Sequence, residues 1–189
     1  MARTKKMSDY EVLELAFEVI SKEGFDSFTF EQVGKAVGLS PAAMVKRFKT
    51  KKRLALLARN QKWDKNLSQI NSDKLHGLIG IFDFLKVIAL SVNSKRLGEH
   101  VTWLGTEARH PSSKKKVAAY FEITRGIFFR LVSEALENGE LKNIEDAKEL
   151  AKTMEALVQG AIFQFSFLSE YNIEAHLKKH FQVLLRPYT

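Results

Sequence analysis

Several features common in proteins are missing from this 189-residue sequence. It has no cysteine, which excludes disulfide bonds, thiolate-ligated zinc, a cysteine nucleophile and thiol redox sensing. It has no apolar run of about 18 residues that would cross a membrane. The first residues also lack the apolar stretch of a secretory signal. We therefore expect a protein of the cytoplasm that does not bind membranes.

Proline is also rare, with only three in the chain, at Pro41, Pro111 and Pro187. Nearly every segment between turn-forming residues has apolar residues spaced three and four apart, which is the pattern of amphipathic helices. The sequence therefore predicts an all-α fold of nine helices without strands. One of the nine is a short helix at about residues 97–107.

Acidic residues are absent from Gln32 to Trp63, although this stretch contains nine Lys and Arg. Residues 1–63 carry a net charge of +6, whereas residues 64–189 carry only +2. A local excess of this kind suits a polyanion, which DNA and an acidic membrane surface both provide. Charge alone is equally compatible with a solvated surface.

Two short helices in or next to this stretch have clear start signals. Thr29 can cap the second helix of the chain while Gln32 reaches back to the cap. Ser40 can cap the third helix, where Pro41 at the first position costs no hydrogen bond. Gly38 provides the turn between the two. This is the geometry by which a protein places one helix in the major groove of DNA.

The stretch from Phe25 to Leu54 resembles the N-terminal domain of the TetR family of transcriptional repressors. The shared features are a Gly-Phe pair after the first helix, a threonine opening the second, a glycine turn before the third, and the spacing Phe-x-x-Lys-x-x-Leu entering the fourth. Leu39 stands where the family turn has valine. The motif covers about a quarter of the chain, roughly residues 8–56, and the remainder matches the family only in length and helix succession.

The resemblance implies two domains and a set of DNA contacts. A helix-turn-helix DNA-binding domain is expected at residues 1–50, with a basic arm at 1–7, and a helical ligand-binding and dimerisation domain at 51–189. The residues implied to read bases in double-stranded DNA are Pro41, Ala42, Ala43, Val45 and Lys46. The residues implied to contact phosphates are Thr29, Ser40, Arg47 and Lys51.

The chemistry of the third helix is consistent with this role. Met44 and Phe48 are spaced to face a small helical core, which turns most of the base-reading residues outward. Alanine and valine can pack against thymine methyl groups, and Lys46 can donate a hydrogen bond to guanine. Val45 replaces an aromatic residue, commonly tyrosine, of the family. We therefore expect recognition by shape and methyl contact more than by hydrogen bonds.

A single short reading helix usually needs a second copy to gain affinity, so we expect a homodimer on an inverted-repeat operator. The last two helices carry apolar stripes, and the resemblance implies that they pair with their copy in a four-helix bundle. The residues expected at this interface are Leu157, Ala161, Phe165, Leu168, Leu177, Phe181 and Leu184. The alternative is that both stripes belong to the core of the subunit.

The helices between are rich in aromatic residues, which can line an apolar cavity together with a few polar groups. The candidate pocket residues are Phe82, His100, Trp103, Glu107, Phe121, Arg125, Phe128 and Gln164. A filled core would use the same residues. If the pocket exists, we expect an apolar or aromatic effector that shifts the spacing of the two reading helices and releases the operator.

Catalysis is not indicated, because the sequence has no nucleophile-and-base pattern and no glycine-rich phosphate loop. His176 and His180 have a metal-compatible spacing, but no third ligand is evident. We expect no cofactor, no metal and no enzymatic activity. Two alternatives stay open: a regulator of the same fold without a small-molecule inducer, and a helical interaction protein whose basic stretch meets an acidic membrane.

Overall fold

The computed structural model describes residues 7–24, 27–69, 72–91, 105, 111–168 and 172–189. Within these residues the chain is helical and contains no strand, so the predicted all-α class is confirmed. The predicted helix at residues 97–107 lies almost entirely outside the described residues. The helices are α1 (Asp9–Glu23), α2 (Phe30–Val37), α3 (Pro41–Phe48), α4 (Lys51–Gln69), α5 (Gly77–Ser91), α6 (Pro111–Glu137), α7 (Ala147–Phe165) and α8 (Ile173–Leu185).

Each of the first four helices begins after a capping residue, and Thr29 and Ser40 are the caps that the sequence predicts. Ser8 and Thr29 each form a capping box, in which the hydroxyl accepts from the backbone N–H three residues on and the side chain there accepts from the cap N–H. Ser40 accepts from Ala43 N at 3.2 Å, and Thr50 accepts from Arg53 N at 3.1 Å. These bonds satisfy N–H groups that have no partner inside their own helix.

The N-terminal unit, residues 1–69, contains α1 to α4. Helix α1 contacts both α2 and α4, and α3 contacts α2 and α4. Gln61 on α4 donates to the carbonyl of Tyr10 on α1 at 2.8 Å, and Lys65 forms an ion pair with Glu14 one turn further along. The fully buried side chains of this unit include Val12, Ile20, Phe28, Val33, Met44 and Leu54.

The C-terminal unit, residues 70–189, contains α5 to α8. Helix α6 contacts α5 and α7, and α8 contacts α7 and α5. At its centre the ring of Phe128 packs edge-on against Phe84, with centroids 5.0 Å apart, and against Phe181 at 5.5 Å. Three aromatic rings therefore pack together within a core that is otherwise mostly aliphatic.

Helix α6 also holds the chain segment that leads into α5. Arg130 donates to the carbonyls of Ser72 at 2.6 Å and Leu75 at 3.0 Å, and Glu134 accepts from the backbone N–H of Gly77 at 3.1 Å. Gly80 permits the close approach, since a Cβ there would lie 2.8 Å from the side chain of Leu131 and 2.9 Å from the backbone of Leu75. The start of α5 is thus fixed by side chains of α6.

The division between the two units falls after α4, whereas the predicted functional boundary falls before it. Helix α4 belongs with the N-terminal unit because it packs along α1. The assignment of residues 1–50 to DNA binding and 51–189 to ligand binding and dimerisation stays a prediction. Among the described helices, none combines the length and the apolar character needed to cross a membrane.

Candidate functional site

Helices α2 and α3 are joined by a three-residue turn that glycine makes possible. Gly38 adopts a left-handed conformation with φ of 68°, which other residues adopt only at a cost. Gly34 permits the turn to approach α2, because a Cβ there would lie 2.5 Å from the carbonyl oxygen of Leu39. The backbone N–H of Leu39 donates to the carbonyl of Gly34 at 2.8 Å. The two glycines therefore fix the angle at which α3 leaves α2.

Helix α3 buries one face and exposes the other. Met44 and Phe48 are buried, as the sequence predicts. The side chain of Val45, a large apolar residue, is 46% exposed although it has no role in the core. The residues predicted to read bases are exposed at Pro41, Ala42, Val45 and Lys46 and half-buried at Ala43. An outward face of small apolar residues ending in a lysine can contact thymine methyls and a guanine edge.

The two hydroxyls predicted to contact phosphate lie at exposed helix starts. Thr29 accepts from the backbone N–H of Gln32 at 3.1 Å, and Ser40 accepts from that of Ala43 at 3.2 Å. Both residues are exposed. The positive end of a helix dipole and its unpaired N–H groups attract phosphate, so these positions suit backbone contact as well as capping.

Arg47, predicted to contact phosphate, is engaged inside the protein. Its Nε forms an ion pair with Asp9, and its Nη2 donates to the carbonyl of Met7 at 2.9 Å. The arginine therefore ties α3 to the start of α1. Sequence reasoning missed this contact because Asp9 lies 38 residues away. A phosphate contact by Arg47 stays a prediction that competes with this ion pair.

Lys51 lies half-buried at the start of α4, with its Nζ 4.8 Å from the centroid of the Phe28 ring. This cation–π contact positions the ammonium group beside the helix start. Further cations are exposed nearby and form no ion pair with any carboxylate in the described part of the chain. They are Lys35, Lys46, Lys49, Lys52 and Arg53. Since the stretch contains no acid, their positive potential is not cancelled locally.

The candidate pocket residues do not form one described cluster. His100, Trp103 and Glu107 lie outside the described residues. Phe128 is fully buried in the aromatic core, and Gln164 is exposed on α7. Phe82 lines a cavity of about 180 Å³ between α5 and α8, together with Ile79, Asp83, Leu85, Lys86, Glu174 and Lys178. The structure therefore places Phe128 in the packing of the subunit, where its ring is already covered.

Phe121 and Arg125 lie on another part of α6, half-buried. The ring of Phe121 contacts that of Tyr120, with centroids 6.0 Å apart. The guanidinium of Arg125 contacts Glu155 on α7, a buried carboxylate that sequence reasoning missed. The signal was available, because Glu155 is spaced three and four residues from Val158 and Ala151 and therefore shares their apolar face.

Four of the residues predicted at a dimer interface are covered within the subunit. Ala161, Phe165, Leu177 and Phe181 belong to the hydrophobic core, because the stripe that carries them faces the other helices of the unit. A partner chain has no access to these side chains. Of the other three predicted residues, Leu157 and Leu184 are half-buried and Leu168 is exposed.

The exposed side of α7 and α8, together with the turn after α7, presents apolar residues that the sequence analysis did not select for an interface. They are Phe163, Phe167 and Val183. The rings of Phe163 and Phe167 contact each other edge-on, with centroids 5.3 Å apart. Periodicity identified an apolar stripe but not the second, exposed one, because the stripe facing the core is longer and more regular.

Comparison with known proteins identifies the same helix-turn-helix region as the structure does. Residues 12–58 match the family model described as bacterial regulatory proteins, tetR family. Among curated protein sequences, none is significantly similar to this chain. Solved structures are similar over nearly the whole length, although at 12% to 19% identity they establish only the fold.

Three of these structures illustrate the match. A TetR transcription regulator from Haloarcula marismortui has a TM-score of 0.79 at 12% identity, covering 95% of this chain and 97% of its own. A transcriptional regulator from Saccharomonospora viridis in complex with choline has a TM-score of 0.73 at 17% identity, covering 94% and 95%. The flavonoid-responsive regulator FrrA has a TM-score of 0.55 at 19% identity, covering 96% and 97%.

The family match over residues 12–58 covers the helix-turn-helix and most of the acid-free stretch. It therefore includes the exposed face of α3. Residues 12–58 of this chain carry the helix-turn-helix domain described by the tetR family model, and the chain has the fold of solved TetR-type regulators.

Proposed function

We propose that this protein is a homodimeric repressor that binds an inverted-repeat operator in the cytoplasm and is released by a small effector. The observation that carries the proposal is the exposed face of α3, where Val45 and Lys46 stand beside cations that no described carboxylate neutralises. The apolar part of this face supplies sequence preference, and the cations supply affinity that falls with salt.

A duplex-binding titration tests the DNA-binding part of this proposal. A preferred duplex is selected from a random-sequence pool, and its binding is followed by fluorescence anisotropy with competitor DNA and at increasing salt. We expect binding that survives the competitor and weakens steeply with salt. Binding to anionic vesicles with no preferred duplex would contradict the proposal and favour a membrane-surface protein.

Two lysine variants test the roles of α3 and α4. Lys46→Ala is expected to relax preference at one base pair by about 1–3 kcal/mol, because it removes a donor to a base edge. Lys51→Ala is expected to weaken all duplexes alike and to reduce the salt slope by about 1, because it removes a phosphate contact. Lys22→Ala, an exposed cation at the end of α1, is the matched control. Equal, sequence-independent losses for both variants would contradict these roles.

The exposed residues of α7 support dimerisation through this side of the C-terminal unit. Phe163 is 51% exposed, and its neighbour Phe167 is more exposed still. Gly160 lies three residues before Phe163 on α7 and would let a partner helix approach closely. Exposing two contacting phenylalanine rings to water is energetically unfavourable for a monomer. A second copy of the chain would cover them.

Phe163→Glu is expected to convert the dimer to a monomer at micromolar concentration, because a buried carboxylate would face its symmetry-related copy. Sedimentation velocity measures the change. Leu90→Glu on α5 is the control, since Leu90 is 86% exposed and lies on a different helix. Dimerisation that persists in Phe163→Glu, or is lost equally in Leu90→Glu, would rule out this interface.

Two structural neighbours support the proposal that a small effector binds this protein. A neighbour has been solved with choline, and another is named as responsive to flavonoids. By analogy, the C-terminal unit of this chain would receive a small organic molecule that alters operator binding. A regulator without an inducer would instead keep the same duplex affinity in the presence of every small molecule tested.

A further inference from the structure

Glu155 is a carboxylate inside the hydrophobic part of the C-terminal unit. Its side chain is 5% exposed, and Ala151, Met154 and Val158 on the same side of α7 are all buried and apolar. A charged group in such surroundings is costly unless its oxygens are fully hydrogen-bonded. The partners of Glu155 therefore determine what this position can do.

Arg125 bonds to only one oxygen of Glu155. Its Oε2 accepts from Nε and Nη2 of Arg125, each at 3.3 Å, which is longer than the roughly 2.7–2.9 Å of strong charge-assisted bonds. Its Oε1 is buried without any hydrogen-bond partner. Oε2 of the carboxylate therefore accepts only long hydrogen bonds from Arg125, and Oε1 accepts none.

Arg125 is shared between two carboxylates. Its Nη1 donates to Glu122 at 2.8 Å, so the shorter of its bonds goes to an exposed residue on its own helix. Glu122, Arg125 and Glu155 together carry one more negative than positive charge. The arginine is therefore only a partial counter-ion for the buried group.

The hydroxyl of Thr124, on the same helix as Arg125, does not supply the missing donor. The hydroxyl of Thr124 donates to the carbonyl of Tyr120 at 3.0 Å. Burial raises the pKa of Glu155, while Arg125 and, more weakly, the side chain of Gln159 lower it without cancelling the effect. The surroundings thus favour a further cationic donor at this carboxylate.

We propose that Glu155 is the anchor for the effector of this regulator, and that the effector carries a protonated amine attached to an apolar body. The inference rests on the proposed function and adds a charge to the apolar effector expected from the sequence. An ammonium group would donate to Oε1 and balance the excess negative charge. An anionic effector is disfavoured because it would meet two carboxylates.

The position of Arg125 connects such binding to the rest of the unit. An amine that pairs with Glu155 competes with the guanidinium that joins α6 to α7. Helix α6 also holds the carbonyls of Ser72 and Leu75 through Arg130, in the segment that leads from α4 into α5. Loosening α6 from α7 would therefore act on the helix that fixes the start of α5.

The test uses the full chain and three probes of similar size: 2-phenylethylamine, the neutral 2-phenylethanol and the anionic 3-phenylpropionate. Calorimetry measures their binding to the wild type and to Glu155→Gln, which keeps the shape but removes the charge. We expect the amine to bind at least about tenfold more tightly than the alcohol. Glu155→Gln is expected to lose about tenfold, or about 1.4 kcal/mol, for the amine and less than about twofold for the alcohol.

Two further variants keep the test decisive even if Glu155→Gln folds poorly. Arg125→Gln removes the competing cation and is expected to strengthen amine binding severalfold. Glu149→Gln, an exposed carboxylate of α7 that pairs with Lys152, is the control and is expected to leave amine binding unchanged. A structural ion pair alone would make both Glu155→Gln and Arg125→Gln less stable and give no preference for the amine.

The same samples are tested for operator binding with and without the amine. If the protein binds a preferred duplex but the amine does not bind, binds no better than the alcohol, or leaves duplex affinity unchanged, the inference about Glu155 is wrong and the DNA-binding function stands. If no preferred duplex exists, the proposed function fails whatever the amine does. Amine binding that depends on Glu155 and weakens duplex binding supports the inference.

Discussion

Phe128→Ala is expected to lower the free energy of unfolding of the C-terminal unit by about 3–5 kcal/mol. Phe128 is fully buried, and its ring packs against both Phe84 and Phe181, so its removal leaves a cavity between three helices. The loss is a large fraction of the stability of a typical domain. Hydrogen exchange measured by mass spectrometry on peptides of α5 to α8 follows this unit separately from the N-terminal one.

Phe129→Ala is the matched control, one residue further along the same helix. Phe129 is 44% exposed, so its truncation removes much less buried surface than the truncation of Phe128 does. We expect a change within about 0.5 kcal/mol. Equal effects of the two substitutions would show that α6 is rotated relative to the packing described above.

Phe48→Ala is expected to destabilise the N-terminal unit by about 3–5 kcal/mol and to abolish binding to every duplex. Phe48 is buried at the end of α3, where α3 meets the other helices of its unit, and the guanidinium of Arg47 lies 5.5 Å from its ring centroid. Loss of this ring removes the packing that orients α3. Hydrogen exchange in peptides of α1 to α3 and duplex anisotropy measure the two effects.

Val45→Ala on the same helix separates stability from recognition. Val45 has no part in the core, so we expect the unit to keep its stability within about 0.5 kcal/mol. The preference for thymine at one position is expected to weaken, because two methyl groups that can contact the base are lost. A Val45→Ala variant that unfolds, or that binds all duplexes as the wild type does, would contradict the assignment of this face.

Local sequence was a reliable guide to the helix starts. Thr29 and Ser40 cap the helices that their positions predict, because a capping bond joins residues only three apart and depends little on the rest of the fold. Gly38 likewise predicts the turn between α2 and α3, since its left-handed conformation is a local requirement. The helix-turn-helix could therefore be identified without the tertiary structure.

Contacts between residues far apart in the chain could not be predicted from the sequence. Arg47 was predicted to contact phosphate because it lies in a basic stretch, and nothing nearby indicated its ion pair with Asp9. Glu155 was not selected because isolated glutamates usually lie on helix surfaces. Its spacing from Ala151 and Val158 indicates that it shares their apolar face, but the sequence does not say which helix covers that face.

The sequence by itself determined the helical class, the positions of the capped helices and the acid-free DNA-binding stretch, because all of these arise from neighbours one or two turns apart. The tertiary structure decided which apolar residues are core and which are surface. It buried Phe128 beside an exposed Phe129, placed Phe165 and Phe181 inside the subunit, and left Phe163 exposed. The reason is physical: periodicity shows that a helix has an apolar face, but only packing against other helices determines how far that face is covered.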